Sequence, residues 1–327
     1  MIKTSLALVF LLLTFGAKAE QPDFELQLGK SVTNKHLSSG SGMVAHNDRF
    51  YVVGDDTPYL FEIDSAFKIR EKTLIKSYPV DAHGRIAKTI KPDFEAMVQF
   101  PYQGMRWNLI VGSGSKEGDR ELGFMLSADN TFRYEQNLSR LYRQLYVLGG
   151  LSGKQRLNIE GLALAGETLY FFNRGNSAGN MIFSVPLSEI IDLMMGNRER
   201  VEHLQRVDVK LPVVKGFEAG FSGADFWPQA DALIYTASIE TTGDAYGDGE
   251  ILGSFIGLIR RDALSDGAFL DLRNSAKKLT RKHKAIKTKV ESVALTEVGQ
   301  RTSHGALVSD NDDGSSEFFK FTLRLKR

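Results

Sequence analysis

One short pattern recurs five times along this chain, and a chain made of five similar units has few folds open to it. The pattern is Ser or Glu, then a small residue, then an apolar one. It occurs as Ser41-Gly42-Met43, Glu95-Ala96-Met97, Glu160-Gly161-Leu162, Ser222-Gly223-Ala224 and Glu291-Ser292-Val293, at spacings of 54, 65, 62 and 69 residues. The surroundings of each copy recur as well. A short apolar stretch leads to a tight polar turn, at His46-Asn47-Asp48, Tyr102-Gln103-Gly104, Ala165-Gly166-Glu167, 228–231 and 299–303. Then come a second apolar run, such as Leu169-Tyr170-Phe171-Phe172, a Gly- and Asp-rich loop, and a third run, such as Tyr59-Leu60-Phe61-Glu62-Ile63. Short runs of aromatic and β-branched residues bounded by turn residues are strands. Each unit is therefore an antiparallel meander.

A fourth strand fits most units, for example at 70–75 and 204–209. Four-stranded meanders repeated about an axis are propeller blades. The expected fold is all-β, a five-bladed propeller; a sixth blade would have to lie in 133–147 or 263–286. A β-sandwich is the rival, but it gives no reason for five similar units. The last unit runs out of chain after three strands, and Phe24-Glu25-Leu26-Gln27-Leu28 is available to close the ring. Residues 187–195 read as a short amphipathic helix with Ser188 as N-cap, a surface elaboration of the third blade. Residues 273–289 carry eight Lys or Arg and read as a solvated connection.

Met1 to Ala19 combines Lys3, an apolar run from Leu6 to Phe15 and Ala17-Lys18-Ala19. This is the pattern of a cleaved secretory signal, and the apolar run is short for the roughly 20 residues that span a bilayer. The expectation is one propeller domain over 20–327, periplasmic or secreted, with no later membrane segment. Without Lys3 and Lys18 the chain has 39 basic and 40 acidic residues, which excludes a general attraction to nucleic acid. The chain has no cysteine, which excludes disulfides, thiolate nucleophiles and Cys-ligated zinc. A monomer is expected.

In a propeller the first strand of each blade lines the channel. The loop before it and the loop between strands two and three open at the same end. Here the turns at the other end are short and plain, whereas the loops between strands two and three are long, glycine-rich and charged. They carry Asp55, Asp56, Arg120, Arg174 and Glu240. Loops on a rigid scaffold are where binding residues concentrate. A Lys precedes each repeated tripeptide by six or seven residues (Lys35, Lys88, Lys154, Lys215, Lys284), and Lys91 and Lys287 sit four ahead of theirs. Three first strands would bring Glu95, Glu160 and Glu291 to the channel mouth. Carboxylates gathered there need a divalent cation or nearby Lys and Arg, with Lys91, Lys287, Arg120 and Arg174 the candidates. Oxygen ligands favour Ca²⁺ or Mg²⁺. Asp244 to Glu250 and Asp310 to Gly314 also have oxygen ligands but lack the spacing of the twelve-residue calcium loop. Gly112-Ser113-Gly114-Ser115 can present amides to an anion, and His83 and His304 are candidate general bases.

Asn158-Ile159-Glu160-Gly161-Leu162-Ala163-Leu164 followed by Thr168-Leu169-Tyr170-Phe171 resembles blades of secreted bacterial propellers of the phytase-like esterase and regucalcin-like types. Lys91-Pro92-Asp93-Phe94-Glu95-Ala96-Met97, and Ser41-Gly42-Met43 with Gly54-Asp55-Asp56, are similar to an uncharacterised bacterial propeller family. The regucalcin-like resemblance implies a divalent metal on Glu160. The expected function is an exported propeller that binds a small anionic ligand at its loop-rich face, with a divalent cation, through Asp55, Asp56, Lys91, Arg120, Arg174 and Glu240. Two alternatives stay open: a metal-assisted hydrolase of an ester, lactone or phosphoester, and a protein-interaction platform without chemistry.

Overall fold

A computed structural model describes residues 20–176, 178–241, 249–281 and 284–326. The expected signal at 1–19 and most of the acidic stretch 244–250 lie outside the described residues.

Five antiparallel meanders surround one channel. Blade 1 is Gly40–His46, Arg49–Gly54, Tyr59–Asp64 and Ile69–Leu74; blade 2 is Phe94–Tyr102, Met105–Gly112, Leu122–Ser127 and Arg133–Asn137. Blade 3 is Ile159–Ala165, Thr168–Asn173, Asn180–Pro186 and Gln205–Lys210, with Phe269–Asp271 added in parallel at its edge. Blade 4 is Gly220–Trp227, Ala232–Glu240, Ile251–Arg260 and the two-residue Lys277–Lys278. Blade 5 is Lys289–Val298, Thr302–Asp310, Ser316–Leu325 and, as its outer strand, Phe24–Asn34 from the start of the domain. The ring closes as expected, with Phe24 opposite Leu325 and Asn34 opposite Ser316. Each first strand touches those of the two neighbouring blades.

The tripeptide is a product of this geometry. Its middle residue faces the first strand of the next blade, where there is no room for a large side chain. A Cβ on Gly42 would sit 3.1 Å from the Met97 amide, one on Gly161 3.0 Å from that of Ala224, and one on Gly223 2.6 Å from Ser292 Cα. Its first residue lies at a β-bulge in every blade, where the register slips between Gly40 and Met43, Phe94 and Ala96, Ile159 and Gly161, Phe221 and Gly223, and Val290 and Ser292. A bulge re-aims a side chain out of the strand's alternation. Here it does so for Ser41, Glu95, Glu160, Ser222 and Glu291 at the same height on the ring.

The two segments that could have hidden a sixth blade contain other things. Residues 133–147 hold the outer strand of blade 2 and then a helix, α1 (Ser139–Leu148), which buries Leu141, Tyr142 and Leu145. Residues 263–286 supply edge strands to blades 3 and 4 and a small hairpin, Thr280–Arg281 with Lys284–Ala285. The helix expected at 187–195 is present as α2 (Leu187–Met194), but it is no surface elaboration. Ile190, Ile191, Leu193 and Met194 are buried, in one core with Trp107, Phe171, Phe183 and α1 between blades 2 and 3. Ser188 does not cap it: the N-cap is Pro186, without a side-chain bond. This core is large, and truncating a fully buried member such as Phe171 costs about 3–5 kcal/mol.

Candidate charged site at the channel mouth

The bulges and the long loops meet at one end of the ring and build a band of charge there. On the side of blades 1 and 2, Asp55 follows the second strand of blade 1, while Lys91, Asp93 and Glu95 enter blade 2. Carboxylate oxygens of Asp55, Asp93 and Glu95 all lie within 4.8 Å of one another. The Lys91 ammonium reaches Asp55, and Asp93 at 2.8 Å. Arg120 donates to Asp93 and to Ser115, both at 2.8 Å. Asp93 also accepts from Ser113 and holds a left-handed φ of 56°, an infrequent conformation for a residue with a Cβ. The serines of the Gly112 to Ser115 loop are thus turned onto Asp93.

On the side of blades 3 to 5 the same elements alternate in sign. Asn158 donates to Glu160 at 2.5 Å. Arg174 donates to Ser238 at 3.1 Å and to Glu240 at 2.9 Å. Lys289 bridges Glu240 at 3.4 Å and Glu291 at 2.9 Å. Gly220 makes this possible, since a Cβ there would lie 2.5 Å from Arg174 Cγ. Glu291 is 3% exposed, and its Oε2 has no hydrogen-bond partner among the described residues.

Burial in this band works against charge, and the neighbours decide the outcome. Burial, then Glu160, Asp93 and Asp55, hold the Glu95 carboxyl well above the usual range despite Lys91. Burial, with help from Glu291 and Asp93, pushes Glu160 up to about 8 against the pull of Arg174 and Lys289. Burial also raises Asp55 and Glu291. Asp93 goes the other way: burial opposes its charge, but Lys91, Arg120 and Ser113 more than offset that and lower it. Arg174, Lys91 and Lys289 are disfavoured by burial, yet the surrounding carboxylates raise all three, so none can act as a neutral base or nucleophile near neutral pH.

A recess of about 550 Å³ leads to Asp55 and Lys91 from outside. It is lined by Asp55, Asp56, Asp81, Asp310 and Asp312 against Arg85, Lys88 and Lys91. Asp56 pairs with Arg85 at 2.5 Å, and burial followed by Asp55 and Asp312 pushes Asp310 up to about 7.

The structure brings Asp55, Lys91, Glu95, Arg120, Glu160, Arg174, Glu240 and Glu291 into this band and Asp56 to its edge. Glu95, Glu160 and Glu291 act on one another in turn, Glu160 raising Glu95 and Glu291 raising Glu160, while the three carboxylates whose oxygens lie within 4.8 Å of one another are Asp55, Asp93 and Glu95. The recurrent Lys35, Lys88, Lys154, Lys215 and Lys284 are exposed. Lys287 lies just before the first strand of blade 5, exposed, and pairs with Glu250 at 2.9 Å; Lys289, the first residue of that strand, takes the expected place beside Glu291. His83 is exposed in a turn closed on Asp81, and His304 lies with Thr322 toward the plain-turn end of blade 5, so neither meets the carboxylates. Asp310 to Ser315 closes on itself, Asp310 accepting from the Asp312 amide at 2.9 Å and Asp313 from that of Ser315 at 2.9 Å. Asp93, Asn158 and Lys289 were missed. All three stand two residues before a bulged Glu, and that spacing was the available signal.

Fold and site together define a five-bladed propeller with a buried, charged channel mouth. The chain belongs to DUF6929, a family of unknown function, which it matches over residues 36–323. No curated protein matches it. Among solved structures it is similar to the glutaminyl cyclase of Myxococcus xanthus, at 13% identity and a TM-score of 0.46, covering 94% of this chain and 100% of that one. It is also similar to an arabinanase of Bacillus subtilis, at 12% identity and a TM-score of 0.44, covering 87% and 93%. A DUF4221 member from Bacteroides vulgatus gives 10% identity and a TM-score of 0.37, covering 94% and 100%. At these identities the likeness concerns fold and carries no chemistry. Among the described residues, no helix is long and apolar enough to cross a membrane.

Proposed function

We propose that this chain is an exported propeller that takes a small, positively charged ligand at its channel mouth, a calcium or magnesium ion being the simplest. The charge balance carries the reading. Six carboxylates (Asp55, Asp93, Glu95, Glu160, Glu240, Glu291) face four cations (Lys91, Arg120, Arg174, Lys289), an excess of two negative charges. Two protons or one divalent cation would neutralise it. This shifts the polarity expected from the sequence. The cations that would have met an anionic ligand are each committed to a carboxylate, and what remains over is carboxylate. Asp55, Asp93 and Glu95 would hold the ion, and Asp55 Oδ1, which has no hydrogen-bond partner among the described residues, would be a donor. All donors are oxygen, as calcium and magnesium require. The Glu160-Gly161 resemblance would place a metal on Glu160 instead; there Asn158 takes one oxygen, Oε1, and the gathered group of three acids does not include it.

Because protons and the ion compete for the same charge, binding should tighten as pH rises. Melting of the EDTA-treated protein with and without calcium or magnesium, at about pH 6 and about pH 8.5, tests this. A ligand at 100 times its Kd stabilises by about 2.7 kcal/mol. The expected result is a higher Tm with the ion, more so at the higher pH. An unchanged Tm at both would remove the reading.

Hydrolysis is favoured by one observation. Glu160 keeps its proton up to about pH 8 and could act as a general acid at neutral pH. A panel of nitrophenyl esters and phosphoesters assayed with Glu160→Gln decides it. Turnover lost in the variant supports hydrolysis, and no turnover in the native protein removes it.

A further inference from the structure

A second cleft on the loop-rich end has the opposite character. It lies between α1 and the long loop of blade 2, and its volume is about 1020 Å³, the size of a small-molecule pocket. We propose that it binds a small organic anion: a carboxylate or phosphate group attached to a flat apolar body.

Lys116, Arg140, Arg143 and Arg156 line the cleft, with Tyr146 and Val147 on the same helix as two of the arginines. The arginines share the cleft because α1 places residues 140 and 143 one turn apart on one face, while Arg156 comes from the segment leading into blade 3, where it donates to the Gly153 and Gln155 carbonyls. Arg143 is exposed and has no ion-pair partner among the described residues. Arg140 meets Glu199 and Lys116 meets Asp119 only in exposed pairs, which are worth little and are readily exchanged for a ligand. Two carboxylates also line the cleft. Glu121 is held by the Gly118 amide at 3.0 Å, and Glu117 is exposed. Guanidinium groups match the planar, two-oxygen edge of carboxylates and phosphates, and they stack on flat rings. Val147, at 70% exposed, offers apolar surface to the body of such a ligand. The floor is rigid: Tyr142 is buried and donates to the Gly112 carbonyl, and Gly114, at φ 71°, lies so flat on the Tyr142 ring that a Cβ would come within 2.3 Å of it. The anion-binding character that the sequence attached to the Gly112 to Ser115 loop therefore belongs to the outer side of that loop.

The test is calorimetric titration of the purified protein, in EDTA, with benzoate and phenyl phosphate. Benzylamine and benzyl alcohol are the controls matched in shape. The proposal expects at least one of the anions to bind and the controls not to. Arg143→Gln should lose about tenfold in affinity, and Arg143→Gln with Tyr146→Ala should lose more. Absence of binding by both anions, equal binding of benzylamine, or unchanged affinity in both variants would overturn it. Circular dichroism of the variants checks the fold; Arg143 is exposed, whereas Tyr146 is half-buried against the core under the helix, so the single Arg143→Gln variant carries the test where the double one unfolds.

Discussion

The two halves of the charged ring have the same composition and different arrangements. Around blades 1 and 2, Asp55, Asp93 and Glu95 stand with Lys91 and Arg120; around blades 3 to 5, Glu160, Glu240 and Glu291 stand with Arg174 and Lys289. Each half has three carboxylates and two cations. In the first half the carboxylate oxygens are gathered within 4.8 Å, and Asp55 Oδ1 is left without a partner among the described residues. In the second half the signs alternate, from Glu160 through Arg174, Glu240 and Lys289 to Glu291, so each acid has a cation or an amide beside it. A net charge alone does not make an ion site. Grouping the acids on one side of the cations brings oxygens of three carboxylates within reach of one ion, whereas interleaving leaves an isolated one, Glu291 Oε2.

The comparison breaks most severely if blade 5 is released. Removing residues 23–28 takes away much of the outer strand, exposes the edge of Ser316–Leu325 and loosens the strand that carries Lys289 and Glu291. Loss of cooperative unfolding is expected in urea titration; an unchanged midpoint would show that closure lies elsewhere. Next in size is Arg174→Gln, which leaves Glu160 buried without its nearest cation and Glu240 with Lys289 alone. It should cost about 3–5 kcal/mol in urea unfolding, and calcium should restore none of it. Lys91→Met should cost somewhat less, about 2–4 kcal/mol, and here calcium should restore most of the loss, because the gathered acids can accept an ion in place of the ammonium. Identical calcium responses in the two variants would erase the distinction between the halves. Gly220→Ala should cost about 1–3 kcal/mol by driving a methyl group into Arg174.

The smallest effect is in the pH dependence. The Glu160 carboxyl is raised in the folded protein, from an ordinary value of 4.5 to about 8. The folded state therefore holds a proton that the unfolded state has lost between those values. Its stabilisation is full below about 4.5 and disappears as pH rises through about 8. Glu160→Gln should flatten that decline. Asp93 and Glu240, lowered by their cations, act in the opposite sense and lose their stabilisation in acid. A variant whose profile parallels the native one would show that Glu160 ionises freely.

The fold was legible because a propeller repeats its constraints. Gly42, Gly161 and Gly223 are small for one reason, the approach of the neighbouring first strand, and that reason leaves a mark in each blade. The helix α1 was missed although Leu141, Leu145 and Leu148 have helical spacing, because it occupies a stretch long enough to pass for strands. The site was half legible. The bulged Glu95, Glu160 and Glu291 announce themselves by repetition, and one neighbour of each stands two residues before it, whereas the other partners arrive from different blades at no fixed spacing. Arg174 meets Glu240 across 66 residues of sequence, and Lys91 meets Asp55 across 36. Which acids gather and which alternate depends on the left-handed turn at Asp93 and on the space over Gly220, and neither leaves a repeating signal.

The central claim is that the gathered acids of blades 1 and 2 bind a cation in exchange for protons. Calcium titration of the EDTA-treated protein by calorimetry near neutral pH, in two buffers of different ionisation heat, measures binding and proton release together. The account predicts one bound ion per chain, protons released on binding, and loss of the signal in Asp55→Asn. Absence of binding by the native protein, or binding that Asp55→Asn leaves unchanged, would contradict it.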